Sequence, residues 1–196
     1  MPGDLNSLPD LRRVIVIGTS GAGKTVTGAQ LAAAAGCPFV ELDELFWGPG
    51  WQPKPEAQFI ALALEAAAGD AWVAAGNYGV ARQALWPRAT AVIWLNFSLA
   101  VVLRRVLVRT ARRVLLREVL WHGNRESLAR TLFTRESIVW WTISTHNDRR
   151  RRFAALRASG EFPHLRWIEF TRPADVDRFL AAAGRIASND SKPEPP

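Results

Sequence analysis

The eight residues Gly18-Thr19-Ser20-Gly21-Ala22-Gly23-Lys24-Thr25 constrain this chain more than any other feature. They satisfy G-x-x-x-x-G-K-[ST], a pattern that works only as a turn between a buried strand and a helix. Both flanks are present. Leu11 to Ile17 is a short β-branched run suited to a buried parallel strand. Lys24 to Ala35 is an Ala-rich run that closes at Gly36, a helix stop. Gly18, Gly21 and Gly23 let backbone N–H groups converge on phosphate oxygens without interference from a Cβ. The helix N-terminus aims partial positive charge at the same point. Lys24 then reaches the β and γ phosphates, and the Thr25 hydroxyl ligates Mg²⁺. The pattern predicts ATP with Mg²⁺ as ligand, contacted from Gly18 through Thr25.

Further strands and helices alternate along the chain. Pro38 to Leu42, Ala71 to Ala75, Ala91 to Leu95 and Leu165 to Phe170 read as strands. Glu56 to Ala68, a helix from Ser98 to about Leu120, another over roughly Glu126 to Leu156, and Ala174 to Ala183 read as helices. Phe46 to Pro55, with its Pro, Gly and Trp residues, reads as a loop, and Trp140-Trp141 as core. The alternation predicts an α/β fold of the P-loop NTPase type, with five parallel strands and helices on both faces. Residues 11–186 are expected to form one domain, with flexible termini over 1–10 and 187–196.

Composition narrows the class. A hydrophobic fraction of 48% with 22% charged residues suits a soluble globular protein, and no apolar run reaches membrane-spanning length. The first ten residues lack a secretory pattern, and one cysteine, Cys37, forms no intramolecular disulfide. A cytoplasmic protein without a membrane partner is expected. The net charge of +7 is concentrated: residues 101–152 carry 13 Arg against 4 acids. Clustered Arg favours polyanions, so a nucleic-acid-associated regulator that uses ATP as a switch stands as the alternative to an enzyme.

Neither an N-K-x-D nor a D-x-x-G motif occurs, which counts against a GTPase and leaves the small phosphotransferases as the best fit. From Phe39 to Asp43 the chain resembles the adenylate-kinase and shikimate-kinase group. The runs Leu42 to Trp51, Gly76-Asn77-Tyr78, Trp86-Pro87-Arg88 and Gly123 to Ser127 are similar to bacterial adenylate-kinase-like, or topology-modulation-like, proteins. This resemblance implies ATP-dependent phosphoryl transfer to a small acceptor, a class that includes nucleoside monophosphates. It implies that Glu41 approaches Mg²⁺ and that Asp43 faces the acceptor, where it can orient a hydroxyl and take its proton. It also implies a helical lid over roughly 115–135 whose arginines clamp the transferring phosphate. Arg105, Arg109, Arg112 and Arg113 share one helix face, and Arg109 and Arg113 are the catalytic candidates beside Lys24 and Asp43. The chain departs from the pattern at Asn96, where the group often has Asp, and at Gln83 and Thr90, where it often has acids.

The remaining acceptor-site candidates each have a plain reading as well. Gly76, Asn77 and Tyr78 follow a strand at the carboxyl end of the sheet, either as a turn or as acceptor contacts. Arg82 either pairs with an acceptor anion or is solvated, and Trp47 either closes over the acceptor or anchors its loop with Trp51. Arg149 to Arg152, four in a row, spread around all sides of a helix, so most read as solvent or partner contacts, with one in reach of the nucleotide as the alternative. His122, His146 and His164 lack metal spacing.

Overall fold

Strands that are apolar at almost every position are stable only where both faces of the sheet are covered. The computed structural model describes residues 10–116, 121–124 and 138–190. Within them lie β1 (Arg13–Gly18), β2 (Phe39–Glu41), β3 (Trp72–Ala75), β4 (Ala91–Leu95) and β5 (Arg166–Phe170). They form one sheet in the order β2-β3-β1-β4-β5, every neighbouring pair parallel. Val14 faces both Val73 and Ala91 across the ladder, so β1 is central and its side chains are buried on either side. β5 is one of the two edge strands, and its exposed positions carry Arg166 and Glu169.

Parallel neighbours need crossover connections, and helices supply them. These are α1 (Lys24–Ala35), α2 (Leu42–Phe46), α3 (Glu56–Ala66), α4 (Gly79–Leu85), α5 (Leu99–Leu115), α6 (Ile138–Ser159) and α7 (Pro173–Asp190). The two-residue alternation of β1 splits the core. Ile15 and Ile17 pack with Phe59, Trp72, Leu85 and Trp94 beneath α3 and α4. Val14 and Val16 pack with Leu31, Ile93, Phe97, Val102 and Val176 beneath α1, α5 and α7. The chain goes from β1 out to β2, back to β3, and across β1 to β4, so the direction of winding reverses at the carboxyl end of β1. In open α/β sheets ligands bind at that point.

Several local expectations need correction. Leu42 leaves the strand and starts α2, because the adjoining Asp43 and Glu44 favour the positive end of a helix. The Phe46–Pro55 loop contains a 3₁₀ turn over Pro49–Trp51 and a bridge from Trp47 to Pro53. Trp140 and Trp141 are not core but 55% and 48% exposed, since only one side of α6 packs on the domain. α7 continues to Asp190, past the expected start of the tail; Gly184 costs an otherwise Ala-rich helix only about 1 kcal/mol. Most of the expected lid lies outside the described residues, which retain Leu115, Leu116 and 121–124 from it.

Candidate active site

The loop after β1 turns back on itself: Ala22 N–H donates to the Thr19 carbonyl at 3.1 Å. Gly21 has φ +78°, and a Cβ there would stand 2.3 Å from Val106 Cγ2 of α5. Only glycine lets α5 press this closely on the loop. Arg105 of α5 completes the brace by donating to the Ala22 carbonyl at 2.7 Å while its guanidinium lies 5.1 Å from the Phe97 ring centroid. From the other side Asn77 grips Gly18: its Nδ2 donates to the Gly18 carbonyl at 2.6 Å and its Oδ1 accepts the Gly18 N–H at 3.3 Å. The amide of Asn77 is therefore spent on the loop backbone rather than turned to an acceptor. Gly76 next to it fits under Leu42, whose Cβ would stand 2.7 Å from an added Cβ. No side chain caps α1, so its first N–H groups open into the loop.

Lys24 folds over this loop, with Nζ 3.3 Å from the Thr19 carbonyl. Burial pulls its pKa below the ordinary range; Asp43 and Glu41 oppose the shift, and Arg149 and Arg109 add to it. Five charges from four segments thus meet at one end of the sheet. Glu41 is 7% exposed, and burial raises its pKa to about 7 against a hydrogen bond from the Thr25 hydroxyl. Its Oε2 has no partner among the described residues. Asp43 accepts the Tyr78 hydroxyl at 2.6 Å. Burial and the neighbouring Asp43 hold that phenol firmly protonated, and the Trp47 side chain hydrogen-bonds to it in turn. Tyr78 is fixed by Phe46, 4.5 Å away between ring centroids, and by Phe59 at 5.0 Å. Trp47 meets Trp51 edge to face at 5.9 Å. Arg82, one turn beyond Tyr78, has a buried Nε without a partner among the described residues.

The four α5 arginines grouped by spacing divide their work. Arg105 braces the loop, Arg109 lies close enough to act on Lys24, and all four line an open groove of about 880 Å³ beside the loop. Arg149 reaches the site from α6. Burial lowers its pKa, reinforced by Arg152 and opposed by Asp43 and Tyr78, and its guanidinium lies 5.5 Å from the centroid of the Trp141 ring. The sequence pointed to one of four arginines without choosing among them. Arg150 goes elsewhere: its Nε donates to Asn96 Oδ1 at 2.5 Å. Asn96 Nδ2 donates to Glu169 Oε1, also at 2.5 Å, and Arg157 pairs with the other oxygen of Glu169 at 3.0 Å. Asn96 must both accept and donate, which a carboxylate cannot do. Sequence reasoning missed the role of Asn124, whose amide ties the Gly48 carbonyl and the Trp51 N–H together.

No protein-family model matches the chain, and no curated protein sequence matches it. Solved structures do. A gluconokinase from Sinorhizobium meliloti is similar with a TM-score of 0.50 and 22% identity, over 94% of this chain and all of that one. Shikimate kinase from Acinetobacter baumannii, solved in complex with shikimate, gives 0.52 and 19% over 96% of this chain and all of that one. Shikimate kinase from Bacteroides thetaiotaomicron gives 0.52 and 16% over 92% and 99%. The chain shares the fold of these solved structures, a five-stranded parallel sheet flanked by helices. Within that fold, the five charges around Lys24 stand where β1, β3 and β4 end together. Among the described residues no helix is long and apolar enough to cross a membrane.

Proposed function

We propose that the chain transfers the terminal phosphoryl group of an Mg²⁺-bound nucleoside triphosphate to a hydroxyl of a small molecule. The observation that carries this reading is the convergence of Lys24, Arg109 and Arg149 with Glu41 and Asp43 beside an uncapped helix N-terminus. Phosphoryl transfer needs little covalent help from the protein; it needs fixed positive charge and an aligned nucleophile. Backbone N–H groups from Gly18 to Thr25 and the Lys24 ammonium hold the phosphates. Arg109, Arg113 and Arg149 neutralise charge on the transferring group. The acceptor oxygen forms the new P–O bond as the bond to the bridging oxygen breaks, and Asp43 takes the hydroxyl proton. Tyr78 occupies Asp43 Oδ1, which leaves Oδ2 for the acceptor.

The residues present fit a magnesium ion. Thr25 and the unpartnered Oε2 of Glu41 are hard oxygen donors. Among the described residues no cluster of three His, Cys, Asp or Glu side chains stands ready for a metal, which suits an ion held mainly by phosphates and water. Bound there, Mg²⁺ supplies charge neutralisation at the phosphates. Trp47, Tyr78 and Arg82 form the acceptor side, which suits a hydroxyl compound, with Arg82 available to an anionic group on it. Nucleoside monophosphates and small hydroxy acids both meet that description. The nucleic-acid reading is weaker, because Arg105, Arg149 and Arg150 of the Arg-rich segment turn inward to the loop, Asp43 and Asn96.

Screening nucleotide consumption against nucleoside monophosphates, sugars and hydroxy acids identifies the acceptor, and Asp43→Asn then tests the mechanism. That variant should bind nucleotide with Mg²⁺ as the parent does and transfer phosphate about 10²-fold more slowly or worse. Undiminished transfer to the true acceptor would remove Asp43 from the mechanism, and a collapse of nucleotide binding would move it to the metal.

A further inference from the structure

Asn96 stands where the sheet, the phosphate loop and α6 come together. Leu95 before it pairs with Gly18 across the sheet, and the Asn96 N–H donates to the Phe170 carbonyl at 2.8 Å. The residue is 8% exposed, and its side chain works in both directions. Oδ1 accepts from Arg150 Nε, and Nδ2 donates to Glu169 Oε1. Glu169 carries the connection on through its second oxygen to Arg157. Arg150 and Arg157 are seven residues apart on α6, two turns along one face. These bonds tie one face of α6 to the ends of β4 and β5 at two points. A helix held twice along one face does not turn about its own axis without breaking a bond.

Arg149 precedes Arg150, so its side chain leaves the helix about 100° around the axis from the anchored one. It interacts with Asp43 and Tyr78, and it lies against the ring of Trp141, which is itself half exposed. An exposed ring restrains a long side chain weakly, so the direction of Arg149 depends on the roll of α6. We propose that Asn96 is a positioning residue: by joining Arg150 to Glu169 it fixes the roll of α6 and turns Arg149 toward Asp43. The inference rests on the phosphoryl-transfer reading above and gives Asn96 a part in it without contact to nucleotide, metal or acceptor. What matters is the pairing of an amide with a carboxylate, not which position carries which. With the two groups exchanged, the carboxylate at position 96 accepts from Arg150 and from the amide N–H, and the amide carbonyl accepts from Arg157. Two carboxylates there would face each other across a 2.5 Å contact with no proton between them.

Two measurements on the full chain test this, with urea denaturation showing that each variant is folded. In kinetics with ATP, Mg²⁺ and the acceptor found by the screen above, Arg150→Met and Asn96→Asp should each lower kcat about 10-fold or more. Calorimetric ATP affinity should stay within about 2-fold of the parent. Asn96→Asp/Glu169→Gln should recover most of the kcat that Asn96→Asp loses. Added to Arg149→Ala, Arg150→Met should cost nothing further, because a residue that acts through Arg149 has nothing left to position. The second measurement needs no turnover. The Arg149 Nε–H resonance, assigned by its loss in Arg149→Ala, should shift in Asn96→Asp and return in the exchanged pair. Lower stability with parental kcat, additive losses with Arg149→Ala, or an unmoved Arg149 resonance each overturn the proposal. A parent chain that transfers no phosphate overturns the phosphoryl-transfer reading, and the resonance still decides whether Asn96 directs Arg149.

Discussion

The phosphate loop and the α5–α6 pair both deliver charge to the same site, yet they are held in opposite ways. The loop is cross-braced by Asn77 from one side and Arg105 from the other, and Gly21 admits α5 into direct contact. Between α5 and α6 the filling is polar and incomplete. Thr110 on α5 and Thr142 and His146 on α6 are each 1% exposed, and among the described residues neither the Thr110 hydroxyl nor either nitrogen of His146 has a partner. A buried polar group left unmade costs about 1–3 kcal/mol, so this interface is the weaker of the two. The lesson is one of division: fixed backbone receives the phosphates, while long side chains carried on a less stable pair of helices supply Arg109 and Arg149. Elements drawn from the low-stability end of a fold are those that can rearrange around a ligand.

The loop side should give the largest effects. Lys24→Ala is expected to lower phosphoryl transfer by about 10³-fold and to weaken a triphosphate more than its nucleoside, with the fold intact. Equal loss of nucleoside and triphosphate affinity would mean that the loop itself had collapsed. Glu41 tests the loop through stability. Its folded pKa of about 7, raised chiefly by burial, stands above the ordinary 4.5, so the folded chain holds the proton more tightly. Stability should then fall as pH rises from 4.5 to 7, by about 3 kcal/mol in full. Glu41→Gln in the presence of a chelator should remove that slope and exceed the parent in stability at pH 8, as urea denaturation would report; a parallel pair of curves counts against it.

The helix-pair side is sharpened by a contrast within one run of arginines. Arg149→Ala should cut kcat about 10²-fold, while Arg151→Ala, whose side chain is 79% exposed, should leave it unchanged. Equal losses would reduce the run to general electrostatics. The smallest effect concerns His146, whose pKa is lowered by burial and by the nearby Arg150. Arg150 is the charged group acting on it, and Thr110 and Thr142 are the buried hydroxyls between the same helices. A base whose folded pKa lies below its unfolded 6.5 contributes stability above that pH that is lost as pH falls below it. His146→Leu should flatten the acid side of the stability profile, and an unchanged profile would assign the acid loss elsewhere.

How legible each part was follows from sequence separation. α1 runs from Lys24 to Ala35 as its Ala run and Gly36 predict, and β4 spans Ala91–Leu95 as its apolar run predicts, because strand, turn and helix signals act within a few residues. The five-stranded parallel sheet followed from their alternation, but its order β2-β3-β1-β4-β5 did not. Trp140 and Trp141 misled because apolar side chains say that something should cover them, without saying whether the domain does.

The phosphate loop, its strand and its helix were determined by the sequence alone, since glycine conformations and helix signals are properties of a short stretch of chain. Tertiary structure alone decided the partners: Asn77 to Gly18 across 59 residues, Arg105 to Ala22 across 83, and Arg149 rather than its neighbours toward Asp43. A side chain's hydrogen-bond partner depends on where packing brings another segment, and no local periodicity encodes that distance.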